Sequence, residues 1–118
     1  MDLDTRFRFR REERLKNRDR IRRLFKQGRS AACNGAKLFL LENKLPNNRI
    51  VFTFARKYGN AVERNRSRRL SREVYRLLRP GLKTGFDLAL LVYPGKDEYE
   101  ARRGQMLILF KKTGLLVE

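Results

Sequence analysis

Between Ala55 and Pro80 the chain reads ARKYGNAVERNRSRRLSREVYRLLRP, and its arginines are the residues whose type and spacing could do chemistry. Arg64, Arg68, Arg72 and Arg76 follow one another at steps of four, with Asn65, Arg69 and Arg79 in the same sector of a helix that begins near Ala61. Val62, Leu70, Val74, Leu77 and Leu78 fall on the other side as a buried stripe, toward which only Arg66 leans. Like charges at i,i+4 repel, destabilising a helix by about 0.2–0.5 kcal/mol per pair, and only Glu63 and Glu73 stand by to relieve them. A solvated amphipathic helix ordinarily mixes signs on its outer face. One dominant sign points to a polyanion, and the chemistry is the binding of phosphates by planar, bidentate guanidinium groups.

Other chemistries lack their parts. The chain has no histidine, and acids such as Asp87, Asp97 and Glu98 are scattered where a metal-dependent nuclease would gather several carboxylates. The single cysteine, Cys33, excludes an internal disulfide and cannot form a zinc site by itself, which suits a reducing compartment. No apolar stretch approaches the roughly 20 residues of a membrane span, and the first residues lack a signal peptide's apolar region, so the cytoplasm is the expected location. With 118 residues the chain is a single domain, and 30 Lys+Arg against 13 Asp+Glu give it a formal charge of +17. That surplus favours phosphate backbones and opposes compaction, so RNA, phosphate or sulfate should stiffen a marginally stable fold.

The elements that must hold the arginines are legible on either side of them. Residues 1–14 are dense in charge and by themselves extended or mobile; Phe7 and Phe9 alternating with arginines fit a short edge strand, a docked tail or rings that stack bases. Asn17 or Asp19 caps a helix running to about Gln27, stopped by Gly28, with Ile21, Leu24 and Phe25 as its apolar edge. Residues 36–44 and 49–56 read as strands joined by Pro46-Asn47-Asn48. In the second, Ile50, Phe52 and Phe54 face a core beneath the basic helix, while Val51, Thr53 and Ala55 form a shallow floor beside Lys37, Phe39 and Leu41 of the neighbouring strand. Asn60 caps the basic helix and Pro80-Gly81 ends it. Residues 86–93 form a strand buried on both sides, completing a βαβ unit, and a last helix over about 97–112 turns Tyr99, Met106, Leu107 and Phe110 inward. The fold class is α+β, an α/β sandwich with one small sheet.

Lys57, Gly59, Asn60, Ala61 and Val62, then the Arg64-Asn65-Arg66 triplet, then Arg68, Arg69 and Arg72 form a dense motif that resembles the signature of the bacterial ribonuclease P protein subunit. The likeness extends more loosely over the whole chain. It implies a sheet of about four strands in the order αβββαβα, a further short strand near residues 30–34, and a left-handed βαβ crossover, against the usual hand. It implies a protein that assists a catalytic RNA in removing the 5′ leader from precursor tRNA, with no catalytic residue, protein-held metal or obligate protein partner of its own, and magnesium supplied through the RNA.

By the same resemblance Arg56, Lys57, Asn60, Arg64, Asn65, Arg66, Arg68, Arg69 and Arg72 meet the catalytic RNA or hold that surface. A cleft between the first helix and the shallow sheet face receives the leader, lined by Ile21, Phe25, Lys37, Phe39 and Thr53; isoleucine at position 21 departs from the aromatic common there. From spacing alone, Ile21, Phe25 and Phe39 read as core residues. A structural RNA-binding protein, an independent nuclease and a membrane-surface binder are the competing readings, disfavoured in turn by the motif, the missing acidic cluster and the strands that follow the helix.

Overall fold

The computed structural model describes residues 9–117, and within them a four-stranded sheet carries three helices. In chain order these are α1 (Arg18–Gln27), β1 (Arg29–Cys33), β2 (Ala36–Glu42), β3 (Arg49–Phe54), α2 (Ala61–Leu78), β4 (Phe86–Val92) and α3 (Tyr99–Lys112), with short 3₁₀ turns at Arg11–Glu13 and Arg79–Gly81. This is the α+β class and element order that the sequence predicts. Asn17 accepts from the Arg20 amide as the α1 cap, and Gly28 turns extended after donating its amide to the Leu24 carbonyl at 2.9 Å, at a position where a Cβ would stand 2.5 Å from that oxygen and 2.9 Å from that of Leu40.

The strand order is β1-β2-β4-β3, with β2 antiparallel and β3 parallel to β4. This corrects one expectation: β2 and β3, though consecutive, do not pair, and Phe39 lies one strand further from the β3 floor than the sequence reading has it. The apolar run of β4 needs cover on both faces and edges, which the centre of the sheet supplies. Asp87 is the polar residue in that run, and it is buried with Arg49 donating to both of its oxygens, at 2.8 and 2.9 Å, and Asn43 to one at 3.0 Å.

Strand alternation divides the sheet. Leu38, Leu40, Ile50, Phe52, Leu88, Leu90 and Val92 face α2 and α3 in the main core, joined by Val74, Tyr75, Met106, Leu109 and Phe110. Phe39, Leu41, Val51 and Ala89 face the other way with α1, where Leu15, Leu24 and Ala89 are the fully covered residues.

Two helical faces differ from expectation. In α2 the buried residues are Ser67, Ser71, Val74 and Tyr75, whereas Val62 and Leu77 are 65% and 45% exposed. In α3 they are Arg102, Met106, Leu109 and Phe110, with Leu107 only half-buried. The cause is one polar insertion. Arg102, 1% exposed, reaches between the helices, and only small hydroxyl side chains on α2 leave room for it.

The segment before α1 docks on the domain. Phe9 packs against Phe52 and Tyr75 at centroid distances of 6.4 and 6.0 Å, the Leu15 amide donates to the Ile50 carbonyl, and Arg79 pairs with Glu13. Residues 9–14 are therefore a docked segment, while Leu3 and Phe7 lie outside the described residues.

Candidate nucleic-acid interface

The turn into α2 is built to present its first residues. Lys57 adopts a left-handed backbone (φ 68°), which sends Tyr58 inward and leaves Arg56 and Lys57 exposed. Gly59 has φ 153°, and any side chain there would crowd the Glu63 carboxylate at 3.1 Å. Asn60 Oδ1 accepts from the Glu63 amide at 2.9 Å while Glu63 answers to the Asn60 amide, forming a capping box. Arg64 Nε donates to the Gly59 carbonyl at 3.1 Å. The motif thus fixes its own helix start.

Beyond the cap the arginines fall into two groups. Arg56, Arg64, Arg66 and Arg69 are exposed, none of them in an ion pair among the described residues. Arg68 and Arg72 are half-buried: the Arg68 guanidinium lies 5.2 Å from the Phe54 ring centroid and donates to Asn65 Oδ1 at 2.7 Å, and that of Arg72 lies 5.3 Å from Phe9. Burial, followed by repulsion from Arg14 and Arg68, lowers the Arg72 pKa. Asn65, Arg68, Arg69 and Arg72 together line a shallow recess. Glu73 pairs with Arg76 at 2.6 Å, and that hydrogen bond holds its carboxyl below the usual range.

Beneath this surface a polar network fastens α2 to α3, and sequence reading missed it. Tyr58 donates to Asp97 at 2.5 Å, Ser67 donates to Asp97 Oδ1 at 3.0 Å, and Arg102 donates to Asp97 Oδ1 at 2.6 Å, to Ser67 at 3.2 Å and to Ser71. Burial acts to raise the Asp97 pKa, but the hydrogen bonds from Tyr58, Arg102 and Ser67 outweigh it and hold the carboxyl below its ordinary value. Burial and the Asp97 carboxylate push the Tyr58 phenol up. The available signal was the pair Ser67 and Ser71 on α2 at a spacing of four, one helical turn apart.

The opposite face carries the five residues predicted to line a cleft. Lys37, Phe39 and Thr53 project from the side of the sheet that α1 crosses, and Ile21 and Phe25 come down from α1. Phe25 and Phe39 meet edge-on at 4.7 Å, Phe25 remaining 37% exposed, and Lys37 Nζ stands 5.0 Å from the Phe39 centroid. Thr53 Oγ1 donates to the Leu90 carbonyl at 3.1 Å, so its proton is committed. At one end Arg20 approaches Asp87 at 3.6 Å. The result is a half-covered aromatic floor with a cation over it, suited to stacking bases of a single strand. The arginine face and this floor lie on opposite sides of the sheet, and its edge strand β3 carries both Thr53 on the floor side and Phe54 beneath Arg68.

Among the described residues no three His, Cys, Asp or Glu side chains gather where they could hold a metal ion, and no helix is long and apolar enough to cross a membrane. Asp87, Asp97 and Glu13 are each engaged by arginine.

Comparison with known proteins bears on family and fold. The family model for ribonuclease P matches residues 9–114. The ribonuclease P protein component of Natranaerobius thermophilus is 44% identical over 104 residues, covering 86% of this chain and 90% of that protein. That of Dictyoglomus thermophilum is 30% identical over 116 residues, covering 95% and 97%. Among solved structures, the RNase P protein from Thermotoga maritima superposes with a TM-score of 0.74 at 27% identity, covering 85% of this chain and 96% of that one. The Staphylococcus aureus RNase P protein gives 0.79 at 20% identity, covering 88% and 97%, a likeness of fold.

Proposed function

Because the chain belongs to the ribonuclease P protein family, we propose that it is the cytoplasmic RNA-binding subunit that helps a catalytic RNA remove the 5′ leader of precursor tRNA. The exposed arginines of α2, with Arg56 and Lys57, take phosphates of the catalytic RNA. The floor formed by Ile21, Phe25, Lys37, Phe39 and Thr53 takes the single-stranded leader. The observation that carries this reading is the placement of a guanidinium surface and an aromatic floor on opposite faces of one sheet. One small domain can then hold two RNA segments at once, lowering their mutual repulsion and the magnesium needed to offset it. Among the described residues no cluster of carboxylates is offered to a metal, and this reading assigns magnesium to the RNA; no separate protein partner is invoked.

Cleavage of precursor tRNA at low magnesium tests the reading, with a bacterial ribonuclease P RNA alone, this protein alone, and both. Cleavage that needs both supports it. Tight RNA binding without stimulation would favour a structural RNA-binding protein instead, and cleavage by the protein alone a nuclease.

A further inference from the structure

Where β3 passes between the docked amino-terminal segment and α2, a groove of about 270 Å³ opens, floored by Ile50, Val51 and Phe52 and walled in part by Arg14, Arg68 and Arg72. Phe9 stands within it, with the Arg14 guanidinium 5.7 Å and the Arg72 guanidinium 5.3 Å from its ring centroid. Elsewhere arginines such as Arg20, Arg49, Arg79 and Arg102 are paired with carboxylates. These three are held instead by ring faces, and Arg68 also by the Asn65 amide. A ring engages the flat face of a guanidinium and leaves its N–H edge and its charge uncompensated. Arg72 Nε is buried with no acceptor. Mutual repulsion is evident as well, since Arg14 and Arg68 add to burial in lowering the Arg72 pKa.

We propose that Arg14, Arg68 and Arg72 jointly hold one phosphodiester group of bound RNA, which ties the amino-terminal segment to α2. A phosphate accepts from several guanidinium edges at once and supplies the missing negative charge. Phe9 already carries a cation at two positions and packs on Phe52 and Tyr75, so the ligand here is a phosphate and not a stacked base. This deepens the proposed function and rests on RNA being the ligand. It extends the phosphate-binding surface beyond the helix to Arg14, a residue outside the arginine motif.

Two measurements on the full chain test it. The thermal midpoint is followed against sulfate at constant ionic strength, for the unaltered chain, Arg14→Gln and the exposed α3 control Arg103→Gln. Sulfate should raise the midpoint of the unaltered chain and the control alike, and raise that of Arg14→Gln clearly less; an equal rise in all three would overturn the site. The salt dependence of binding to a bacterial ribonuclease P RNA is then compared for Arg14→Gln, Arg72→Gln and the pair. The pair should lower the log–log slope by no more than about 0.9, the value for one phosphate, and each single change by no more than the pair. A loss near about 1.8 for the pair, twice that value, or an unchanged slope for it, would overturn the shared phosphate. Should the unaltered chain fail to bind that RNA, the proposed function falls, while the sulfate titration still decides whether the anion site exists.

Discussion

The two faces of the sheet hold the residues proposed to bind RNA by opposite means. On the α2 side the helix is fastened: its inner serines grip a buried arginine, its cap is reciprocal, and two of its outer arginines lie against aromatic rings. On the α1 side cover is incomplete, and Phe25, Ile21 and Phe39 keep part of their surface in water. A rigid array of cations loses little further freedom on meeting a folded RNA, whose phosphates are themselves fixed. A flexible leader brings bases that must find faces to stack on, so the floor is left open at the cost of apolar burial. In the proposed function one face depends on being held, the other on being left uncovered.

The sharpest way to break this contrast is to release α2. Arg102→Ala removes one partner of a buried pair and strands Asp97, Ser67 and Ser71. The expected loss in urea unfolding is about 3 kcal/mol, the low end for such pairs because Asp97 keeps some contact with water. Acid should act on the same network reversibly. The folded Asp97 pKa lies below its unfolded value, so its contribution is present above about pH 4 and is lost as pH falls through the lower, folded value. Stability measured against pH should therefore fall more steeply below pH 4 in the unaltered chain than in Asp97→Asn.

Smaller changes sharpen the comparison. Arg66→Ala with Arg69→Ala touches exposed cations only, and should lower the log–log salt slope for the catalytic RNA by about 1.8, at about 0.9 per contact, without altering urea stability. Ile21→Phe adds a ring to the open floor and should strengthen precursor tRNA binding by about 1 kcal/mol, the low end of base stacking, with mature tRNA unaffected.

These expectations differ in how far the sequence alone could have supported them. Element order, the Asn60 cap and the projection of Ile50, Phe52 and Phe54 follow from local rules of capping and alternation, and the structure agrees. The arginine face was legible because charge spacing on a helix needs no tertiary information. The inner stripe of α2 was not, since Ser67 and Ser71 are buried only because Arg102, 31 to 35 residues away, fills the space above them. Pairing of β2 with β4 was hidden for a similar reason: chain order places β2 beside β3, and only the need to cover β4 on both edges separates them. For Phe39, alternation gives the face it occupies but not how much of it is covered. That depends on how α1 crosses the sheet.

The central claim, that the two faces do separate jobs, is tested most directly by the ratio of precursor to mature tRNA affinity in the assembled ribonucleoprotein, measured for Phe39→Ala beside Arg66→Ala with Arg69→Ala. The account predicts that Phe39→Ala lowers the ratio, by a stacking loss of about 1 to 3 kcal/mol on the precursor alone. It predicts that the arginine pair leaves the ratio unchanged and weakens assembly with the catalytic RNA instead. A ratio that moves equally in both, or equal losses on both substrates with Phe39→Ala, would contradict it.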